Sequence, residues 1–504
     1  MKKGKNEAGI TLIALTITII VLLILAGVTI LALSGDNGIL QNAARAKEET
    51  EQAEKDEKEK LGNMEDTINE YVTGIEVEQV TDENPGALEG EGTDDNPYII
   101  NSIEDLIFFA HDVTNGNAYE GQTVKLGLNL DFDSNKSYVD PLRTDYGQYG
   151  YNGELKTLLT TGEGFKPIGT IFDTNISTNY FKGIFDGNGK SICNLYQNIE
   201  NSDYVTIAGL FSTNGGTIKN LRVDNADMNG TTNNSFLLYG GIVGRNRGKV
   251  EKCLTSGKIN IKANGVQTIY IGGIVGQSVG IETIINQCSS NMSIDVYSSN
   301  TNMLQISGIG GSDKITNCYY AGKILVSGTN SGIKFISGIS LGTQLISNCY
   351  NIGKIESYFE NESAGALYIA GITYGMANIE NCYNIGEINC QNNDNYIGGI
   401  DSNAQDGNIE NCHNVGKLSV TGNWVRNGAI AGYAKNQTIN NSKWLAGTAD
   451  KAIGIEDGNV TKNSIEEVSD IKDMPTILSI INTENCFKED TNNINKGYPI
   501  LNWQ

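Results

Sequence analysis

The sequence is poor in the residues on which most enzyme and metal chemistry depends. Its 504 residues include only two histidines, His111 and His413, and it contains no H-E-x-x-H, G-x-S-x-G or P-loop motif. No pair among its 9 cysteines has the C-x-x-C spacing, which argues against a structural zinc site, and 9 are too few for a disulfide scaffold. We therefore predict no catalytic residue, no metal site and no cofactor, and we expect that the protein is not an enzyme.

Positive charge and proline are scarce as well. Lys and Arg total 36 against 59 Asp and Glu, so the net charge is -23. A chain this acidic repels phosphate backbones, and we expect no nucleic-acid partner. The 6 prolines accompany 60 glycines, a combination that predicts many tight turns without a proline-rich linker.

Charge is missing altogether from residues 8–35. Within this stretch residues 10–34 are almost wholly aliphatic side chains and threonine, and three lysines precede them. The length suffices for a helix that crosses a bilayer, and the lysines predict a cytoplasmic N-terminus. We therefore predict a single-pass protein of the cell membrane with an exported ectodomain. An ordinary secretory signal cleaved before Gly35 is the alternative.

The beginning of this stretch, Gly9-Ile10-Thr11-Leu12-Ile13-Ala14-Leu15, resembles the cleavage and methylation segment of type IV prepilins. The resemblance implies that residues 1–9 are a leader, that a prepilin peptidase cuts between Gly9 and Ile10, and that the new N-terminus is methylated. The family generally has glutamate at the fifth mature position, where this sequence has Ala14. Without that carboxylate a shaft subunit is not expected. A tip position beside other pilin-like subunits and a protein that never polymerises both stay open.

Two further segments precede the ectodomain. Small and apolar residues recur in steps of three and four between Ala43 and Tyr71, among many Glu and Lys. This spacing predicts a charged stalk helix over residues 35–75, and a solvated spacer helix is an equally good interpretation. Residues 76–96 are rich in Glu, Asp and Gly, which predicts an acidic flexible linker.

Internal repeats dominate the remainder of the chain. A Gly-Ile pair, an Ile-x-Asn-Cys segment and a glycine recur in order, and the cysteines stand 30 to 35 residues apart at Cys253, Cys288, Cys318, Cys349, Cys382 and Cys412. With short runs of β-prone residues between turns, this period predicts a mainly β fold, a β-solenoid (parallel β-helix-like) of roughly 8 coils over residues 201–446. Residues 97–200 should form an N-terminal cap, with a short helix at 102–115, and lead-in strands; residues 447–504 should form a C-terminal cap.

These units resemble GLUG-type repeats of bacterial surface proteins. The resemblance runs from about Pro97 to the C-terminus, and includes the lead-in Phe185-Asp186-Gly187-Asn188-Gly189-Lys190 and the end Gly497-Tyr498-Pro499-Ile500-Leu501-Asn502-Trp503. It implies an architecture and says little about chemistry, because similar repeats occur beside protease domains and in adhesin-like proteins.

In stacked coils, equivalent positions form ladders about 4.8 Å apart. The cysteine ladder should point inward as structural thiols, rather than bridges or metal ligands. Asparagines at the preceding position should bond from coil to coil at a bend. Tyr319, Tyr350 and Tyr383 each follow a ladder cysteine and should therefore point outward. This stripe could hold sugar rings or a partner protein, although plain stacking between coils explains it without a ligand.

Together these patterns predict a membrane-anchored, surface-exposed pilin-like protein that acts in adhesion or partner binding through a β-solenoid head. A minor or tip subunit of a type IV pilus-like filament is one candidate role, and the ligand is an unidentified surface glycan or protein. Two alternatives stay open. One is a surface binding module with the same anchor that never enters a filament. The other is a polysaccharide-degrading β-helix enzyme, for which no spacing singles out a pair of acidic residues.

Overall fold

The computed structural model of the chain describes most of residues 88–504. The described residues are 88–132, 164–170, 172–173, 179–200, 205–233, 236–265, 267–329, 332–359, 365–375, 377–470 and 474–504. The leader predicted at residues 1–9, the membrane helix at 10–34, the stalk at 35–75 and most of the linker at 76–96 lie outside them.

The predicted fold class is wrong in one of its two parts, the long N-terminal transmembrane and stalk helix. In the ranges given above there are two helices, α1 (Ile103–Thr114) and α2 (Met474–Ile481), and none is long and apolar enough to cross a membrane. At 1.5 Å per residue the longer one spans about 18 Å, whereas a bilayer core is about 30 Å thick. The single-pass membrane localisation is corrected on the same ground.

The other part of the predicted class describes the molecule, which is a β-solenoid of about eight coils. Each coil passes through four strand positions; strands at three of them pair in parallel along the stack, and those at the fourth pair in parallel in three shorter sheets. We name the four resulting stacks ladders A, B, C and D. Ladders A and B belong to one 26-stranded sheet, while ladder C is a nine-stranded sheet.

Ladder A contains the Ile of the Ile-x-Asn-Cys segment. Its strands are Tyr98–Ile100, Thr123–Leu126, Ile184–Asp186, Thr217–Lys219, Lys249–Glu251, Ile284–Asn286, Lys314–Thr316, Leu345–Ser347, Asn378–Glu380, Asn408–Glu410, Thr438–Leu445 and Thr461–Val468.

Ladder B follows the cysteine. Its strands are Leu130–Asp131, Ser191–Cys193, Tyr196–Glu200, Arg222–Asn233, Leu254–Asn264, Ser289–Ser299, Tyr319–Tyr320, Lys323–Thr329, Tyr350–Asn351, Lys354–Phe359, Tyr383–Asn384, Ile388–Gln391, His413–Asn414 and Leu418–Thr421.

Ladder C precedes the Gly-Ile pair and ladder D follows it. Ladder C consists of Phe172–Asp173, which is antiparallel to the next strand, and then Val205–Ala208, Phe236–Gly240, Thr268–Gly272, Met303–Ser307, Ile333–Ser337, Leu367–Ala370, Asp394–Gly398 and Trp424–Gly428. Ladder D consists of Phe211–Asn214, Val243–Asn246, Val275–Ser278, Ser340–Leu341, Thr373–Tyr374, Ala404–Gln405, Ala431–Lys435 and Ile453–Asp457.

The glycines of the Gly-Ile signature stand where ladder C turns into ladder D. A Cβ on Gly272 would lie 1.9 Å from the carbonyl oxygen of Val275, and one on Gly273 would lie 2.1 Å from that of Gly308. Any side chain would therefore collide with the backbone, within its own coil or in the next one. The isoleucine that follows points inward and is fully buried in each coil, as at Ile274 and Ile372.

Isoleucine, valine and leucine on the inward positions of the ladders form one continuous core. Helix α1 lies at its N-terminal side and begins with a capping box between Ser102 and Asp105. The ring of Phe109 on α1 is fully buried, 5.0 Å from the ring of Tyr119 and 5.6 Å from that of Phe181. The helix predicted at residues 102–115 is thus present and covers the aromatic start of the core.

The C-terminal segment leaves the solenoid and packs against its side. Helix α2 is followed by the antiparallel strands Phe487–Lys488 and Ile500–Leu501. Their apolar side chains form a second, smaller hydrophobic cluster that includes Tyr350 and Tyr383 of ladder B. We call residues 474–504 the C-terminal clasp.

Candidate functional site

The cysteine ladder is a buried structural column. Cys253, Cys288 and Cys318 each have a backbone N–H that donates to the sulfur one coil further on, at 3.4 Å in every case. The thiols donate back to carbonyl oxygens two residues earlier, as from Cys318 to Thr316 at 3.1 Å. Ser442 continues the column, since its hydroxyl accepts from the N–H of Cys412 at 3.3 Å. Each thiol is occupied by the solenoid's own backbone.

No disulfide joins these cysteines, all nine of which lie in the described part of the chain, and eight of the nine are buried. Burial raises the pKa of the Cys253, Cys288, Cys349 and Cys412 thiols well above the ordinary value. They are therefore neutral thiols at physiological pH and poor nucleophiles. Among the described residues no group of three or more His, Cys, Asp or Glu could hold a metal ion.

The asparagine before each cysteine forms the second ladder. Asn317, Asn348, Asn381 and Asn411 adopt φ of 54 to 55°, the left-handed region that asparagine tolerates better than most residues. The amide of Asn411 donates to the Oδ1 atom of Asn381 at 3.1 Å, and Asn441 donates to Asn411 at 2.7 Å. The side chain that permits the bend also connects neighbouring coils.

The tyrosines that follow the cysteines stack on one another. The ring centroids of Tyr319 and Tyr350 are 5.0 Å apart, and those of Tyr350 and Tyr383 are 4.9 Å apart, with interplanar angles of 5° and 9°. His413 occupies the next register position after Tyr383. The tyrosine side chains point away from the main core, as strand alternation requires. Tyr350 and Tyr383 are nevertheless each only 1% exposed.

The C-terminal clasp covers this stripe. The indole of Trp503 stacks on Tyr319 at 5.7 Å and donates from Nε1 to the Asn317 carbonyl at 3.0 Å. Tyr350 donates to Oε1 of Gln504 at 2.8 Å, and the hydroxyl of Tyr383 accepts from Nδ2 of Asn495 at 2.6 Å. A ligand could reach Tyr350 or Tyr383 only if it displaced the protein's own C-terminus.

The clasp also binds the asparagine ladder. Asn348 donates to the carboxylate of Glu484 at 2.7 Å, and Thr483 donates to Oδ1 of Asn381 at 2.9 Å. Aromatic and polar anchors of the clasp therefore contact three successive coils in register.

A different surface presents aromatic side chains to solvent, on ladder C. The outward residues Tyr270, Gln305, Phe335, Tyr368, Tyr396 and Arg426 occupy one register position in successive coils. The neighbouring outward register position of ladder C is occupied in three coils by Phe236, Ile333 and Trp424, which are 36%, 42% and 68% exposed, and in coils between them by Thr268, Met303 and Asp394. We call this surface, together with Tyr374 and Tyr433 of ladder D, the aromatic face.

Within the aromatic face the rings form a continuous stack. The centroids of Phe335 and Tyr368 are 5.3 Å apart, and those of Tyr368 and Tyr396 are 4.5 Å apart. The guanidinium of Arg426 lies 4.3 Å from the ring of Tyr396 and forms an ion pair with Asp394. Tyr374, which belongs to ladder D, packs against Phe335, and their ring centroids are 4.0 Å apart. Neighbouring rings cover one another's faces, so the stack presents edges and hydroxyls.

Ladders A and B carry mostly polar and charged side chains outward, and the exposed aromatic residues of ladder B, Tyr297 and Tyr358, are separated by Ser327 in the coil between them. On ladder B, Lys323 and Lys354 form ion pairs with Glu356 at 2.7 and 2.8 Å. Lys258 pairs with Asp227 at 3.2 Å. Such charged rows are an ordinary solvated surface. The contrast singles out ladder C, because exposed apolar side chains that recur on one sheet face mark an interaction surface.

A cleft of about 200 Å³ adjoins the aromatic face where ladder C turns into ladder D. Tyr270, Gln277, Ser278, Gln305, Asp313 and Leu341 contribute to its lining. Burial raises the pKa of Tyr270, and the side chains of Gln277 and Gln305 beside its hydroxyl oppose this rise. Amides, hydroxyls and one carboxylate thus surround a small concave space.

Neither the aromatic face nor the cleft is among the features predicted from the sequence, although a signal for the face exists. An aromatic residue, an isoleucine, a small residue and the Gly-Ile pair recur as Tyr270-Ile271-Gly272-Gly273-Ile274, Phe335-Ile336-Ser337-Gly338-Ile339, Tyr368-Ile369-Ala370-Gly371-Ile372 and Tyr396-Ile397-Gly398-Gly399-Ile400. Alternation from the buried isoleucine places each aromatic ring outside.

Comparisons with known proteins give two likenesses and no family. No family model matches the chain. The chain is 29% identical over 188 residues to halomucin from Haloquadratum walsbyi, which covers 37% of this chain and 2% of halomucin. It thus spans only a small fraction of that relative's length.

Among solved structures, the crystal structure of a candidate immunoglobulin A1 protease from Bacteroides ovatus is similar over 82% of this chain and 95% of that chain. The sequence identity is 17% and the TM-score is 0.36. A likeness at this level carries no inference about activity.

Proposed function

We propose that the protein is an exported binding protein that attaches to an extracellular partner through the aromatic face. The observation that carries the proposal is the recurrence of aromatic and apolar side chains on the outward positions of ladder C. Phe236, Ile333 and Trp424 leave a third or more of their surface in water. Exposure of this kind costs free energy unless a partner covers it, and aromatic residues are the strongest contributors to binding interfaces.

The solenoid suits this role because its backbone holds the binding residues rigidly. Every aromatic residue of the stack is fixed by parallel pairing on both sides, so little conformational entropy remains to be lost when a partner binds. The resemblance of the repeats to GLUG-type repeats of bacterial surface proteins supports export, and it does not identify what is bound.

The test compares surface variants of the full chain. We expect Trp424→Ala and Ile333→Ser to weaken attachment to isolated cell envelopes and to arrays of surface glycans and proteins. A loss of about tenfold or more corresponds to the removal of one well-packed anchor. Tyr297→Ala is the matched control, because Tyr297 is 47% exposed on ladder B, outside the aromatic face. If Tyr297→Ala weakens attachment as much as Trp424→Ala does, the proposal fails.

Processing of the N-terminus and a role in a filament stay proposals of their own. The resemblance of residues 9–15 to prepilins implies cleavage by a prepilin peptidase between Gly9 and Ile10. Mass spectrometry of the mature chain should show methylated Ile10 as its first residue, and a chain that starts at Gly35 would exclude this processing. Co-purification with other pilin-like subunits would support a tip position, since Ala14 argues against a shaft subunit.

A further inference from the structure

We propose that the cleft beside Tyr270 binds one unit of a neutral glycan, and that the rest of the glycan lies along the aromatic face. This proposal rests on the proposed function, because it assigns a chemical class to the partner and an anchoring point on the same surface. The cleft and the aromatic face are continuous. Tyr270 and Gln305, which line the cleft, stand in the register position that Phe335 occupies in the next coil.

The chemistry of the lining matches a sugar ring. Each amide of Gln277 and Gln305 offers both a donor and an acceptor, and sugar hydroxyl groups need both. Ser278 adds a hydroxyl and Asp313 a carboxylate, while Leu341 supplies an apolar patch for the C–H face of a ring. A few converging polar groups on a partly apolar wall are the usual composition of a small-molecule site.

The polar groups of the cleft are held in place in advance of binding. Nε2 of Gln305 donates to Sδ of Met303 at 3.0 Å, which orients this amide beside the Tyr270 hydroxyl. Oδ2 of Asp313 accepts from the backbone N–H of Thr283 at 3.1 Å, which fixes the carboxylate. Its other oxygen, Oδ1, is left to accept from a sugar hydroxyl. Preorganisation of this kind lowers the entropic cost of binding.

Charge selects a neutral sugar over an acidic one. The residues that line the cleft include Asp313 and no Lys, Arg or His. A uronic acid, a sialic acid or a sulfated sugar would place its anion beside this carboxylate without a cation to pair with it. The net charge of -23 repels polyanions before they reach the surface. The volume of about 200 Å³ lies below the range of drug-sized sites and suits a single ring.

The experiment measures binding of the full chain to immobilised neutral oligosaccharides of increasing length, and to uronic-acid oligomers of matching length. We expect the wild-type protein to bind at least one neutral series and none of the acidic ones. Gln277→Leu and Gln305→Leu should each weaken this binding about tenfold, because each leaves a sugar hydroxyl without its partner. Gln391→Leu is the control, since Gln391 is an exposed glutamine on ladder B. Circular dichroism of every variant confirms that the solenoid is folded.

The outcomes separate this proposal from the proposed function. Glycan binding that is lost in Trp424→Ala and unchanged in both cleft variants would overturn the cleft as a subsite and leave the aromatic face as the binding surface. A partner that proves to be a protein, or an acidic glycan, would overturn the present proposal in the same way. Absence of any partner that depends on Trp424 would overturn the proposed function itself.

Discussion

Two buried titratable side chains in one repeat, Asp401 and His413, should give the solenoid opposing dependences of stability on pH. Asp401 is 1% exposed, and only its Oδ1 atom accepts hydrogen bonds, from the backbone N–H groups of Asn403 at 2.8 Å and Gly375 at 3.2 Å. Burial raises the pKa of Asp401 from 3.8 to about 7, and these two hydrogen bonds oppose the rise only in part. His413 is likewise 1% exposed, and burial lowers its pKa from 6.5 to about 4.

The direction of each pH dependence follows from burial, which favours the neutral form of both side chains. Asp401 binds its proton more tightly in the folded chain, so its contribution to stability is fully present below pH 3.8 and is lost as the pH rises to about 7. His413 releases its proton more readily in the folded chain, so its contribution is fully present above pH 6.5 and is lost as the pH falls to about 4. At 1.36 kcal/mol per unit of pKa difference, these contributions amount to about 4 and about 3 kcal/mol.

Between about pH 4 and pH 6.5 the two slopes nearly cancel in the wild-type protein, and single substitutions should reveal them. Asp401→Asn should gain stability over the wild type as the pH rises, up to about 4 kcal/mol above pH 7 before the cost of the buried amide is subtracted. His413→Gln should gain stability over the wild type as the pH falls. Urea denaturation and hydrogen exchange of the last coils, repeated across this range, measure both differences.

When the free energies of unfolding of a variant and the wild type are subtracted at the same pH, the contributions of all other titrating groups cancel. These include Lys443, which also lowers the pKa of His413. A difference for Asp401→Asn that stays constant from about pH 4 to pH 8 would mean that the carboxylate titrates as it does in water. The inference from its burial would then be refuted.

Three further predictions concern the ladders and the clasp. In the native chain only Cys486 should react rapidly with a thiol reagent, because the other eight cysteines are buried. All nine should react in denaturant. A second rapidly reacting cysteine in the native chain would contradict this prediction. Trp503→Ala should weaken docking of the clasp by about 2 kcal/mol, because the stack on Tyr319 and the hydrogen bond to Asn317 are lost. Limited proteolysis should then cut within residues 474–504 while the circular dichroism of the solenoid is unchanged. A variant as resistant to protease as the wild type would contradict this prediction. Asn411→Ala should destabilise the protein by about 2 kcal/mol, because it removes the hydrogen bonds to Asn381 and Asn441 and strains a residue with a φ of 54°. Asn411→Gly tolerates this φ and should lose less stability, which thermal unfolding can measure. The reverse order of stability would show that the backbone conformation at this position matters little.

Periodicity made the solenoid predictable from sequence. A residue that recurs once per coil must occupy one place in every coil, so the spacing of the Gly-Ile pairs and of Cys318 and Cys349 is enough to imply a ladder. The inward direction of the cysteines follows from their size and weak polarity. The short helix that ends near residue 115 was predictable for another local reason, the capping residue Ser102 followed by an acidic residue three positions on.

What could not be predicted depends on contacts between distant parts of the chain. The outward direction of Tyr350 and Tyr383 follows from strand alternation, yet their burial results from Asn495 and Gln504 more than a hundred residues later. The sequence of the clasp does not repeat, so its packing position cannot be predicted from a repeat period. The cleft beside Tyr270 arises from side chains on three coils whose identities differ, and such a site has no signature in a single sequence.

The way the C-terminal clasp is attached constrains how such a protein can change its length in evolution. Trp503, Gln504 and Asn495 engage Tyr319, Tyr350 and Tyr383 in consecutive coils, about 4.8 Å apart. A tandem duplication or deletion inside this stretch would move at least one docking partner by a whole coil spacing, and the tail could no longer reach all of them at once. Coils upstream of Asn317 are under no such restriction. Variation in repeat number among relatives should therefore concentrate in the first half of the solenoid, while the last coils keep a fixed count.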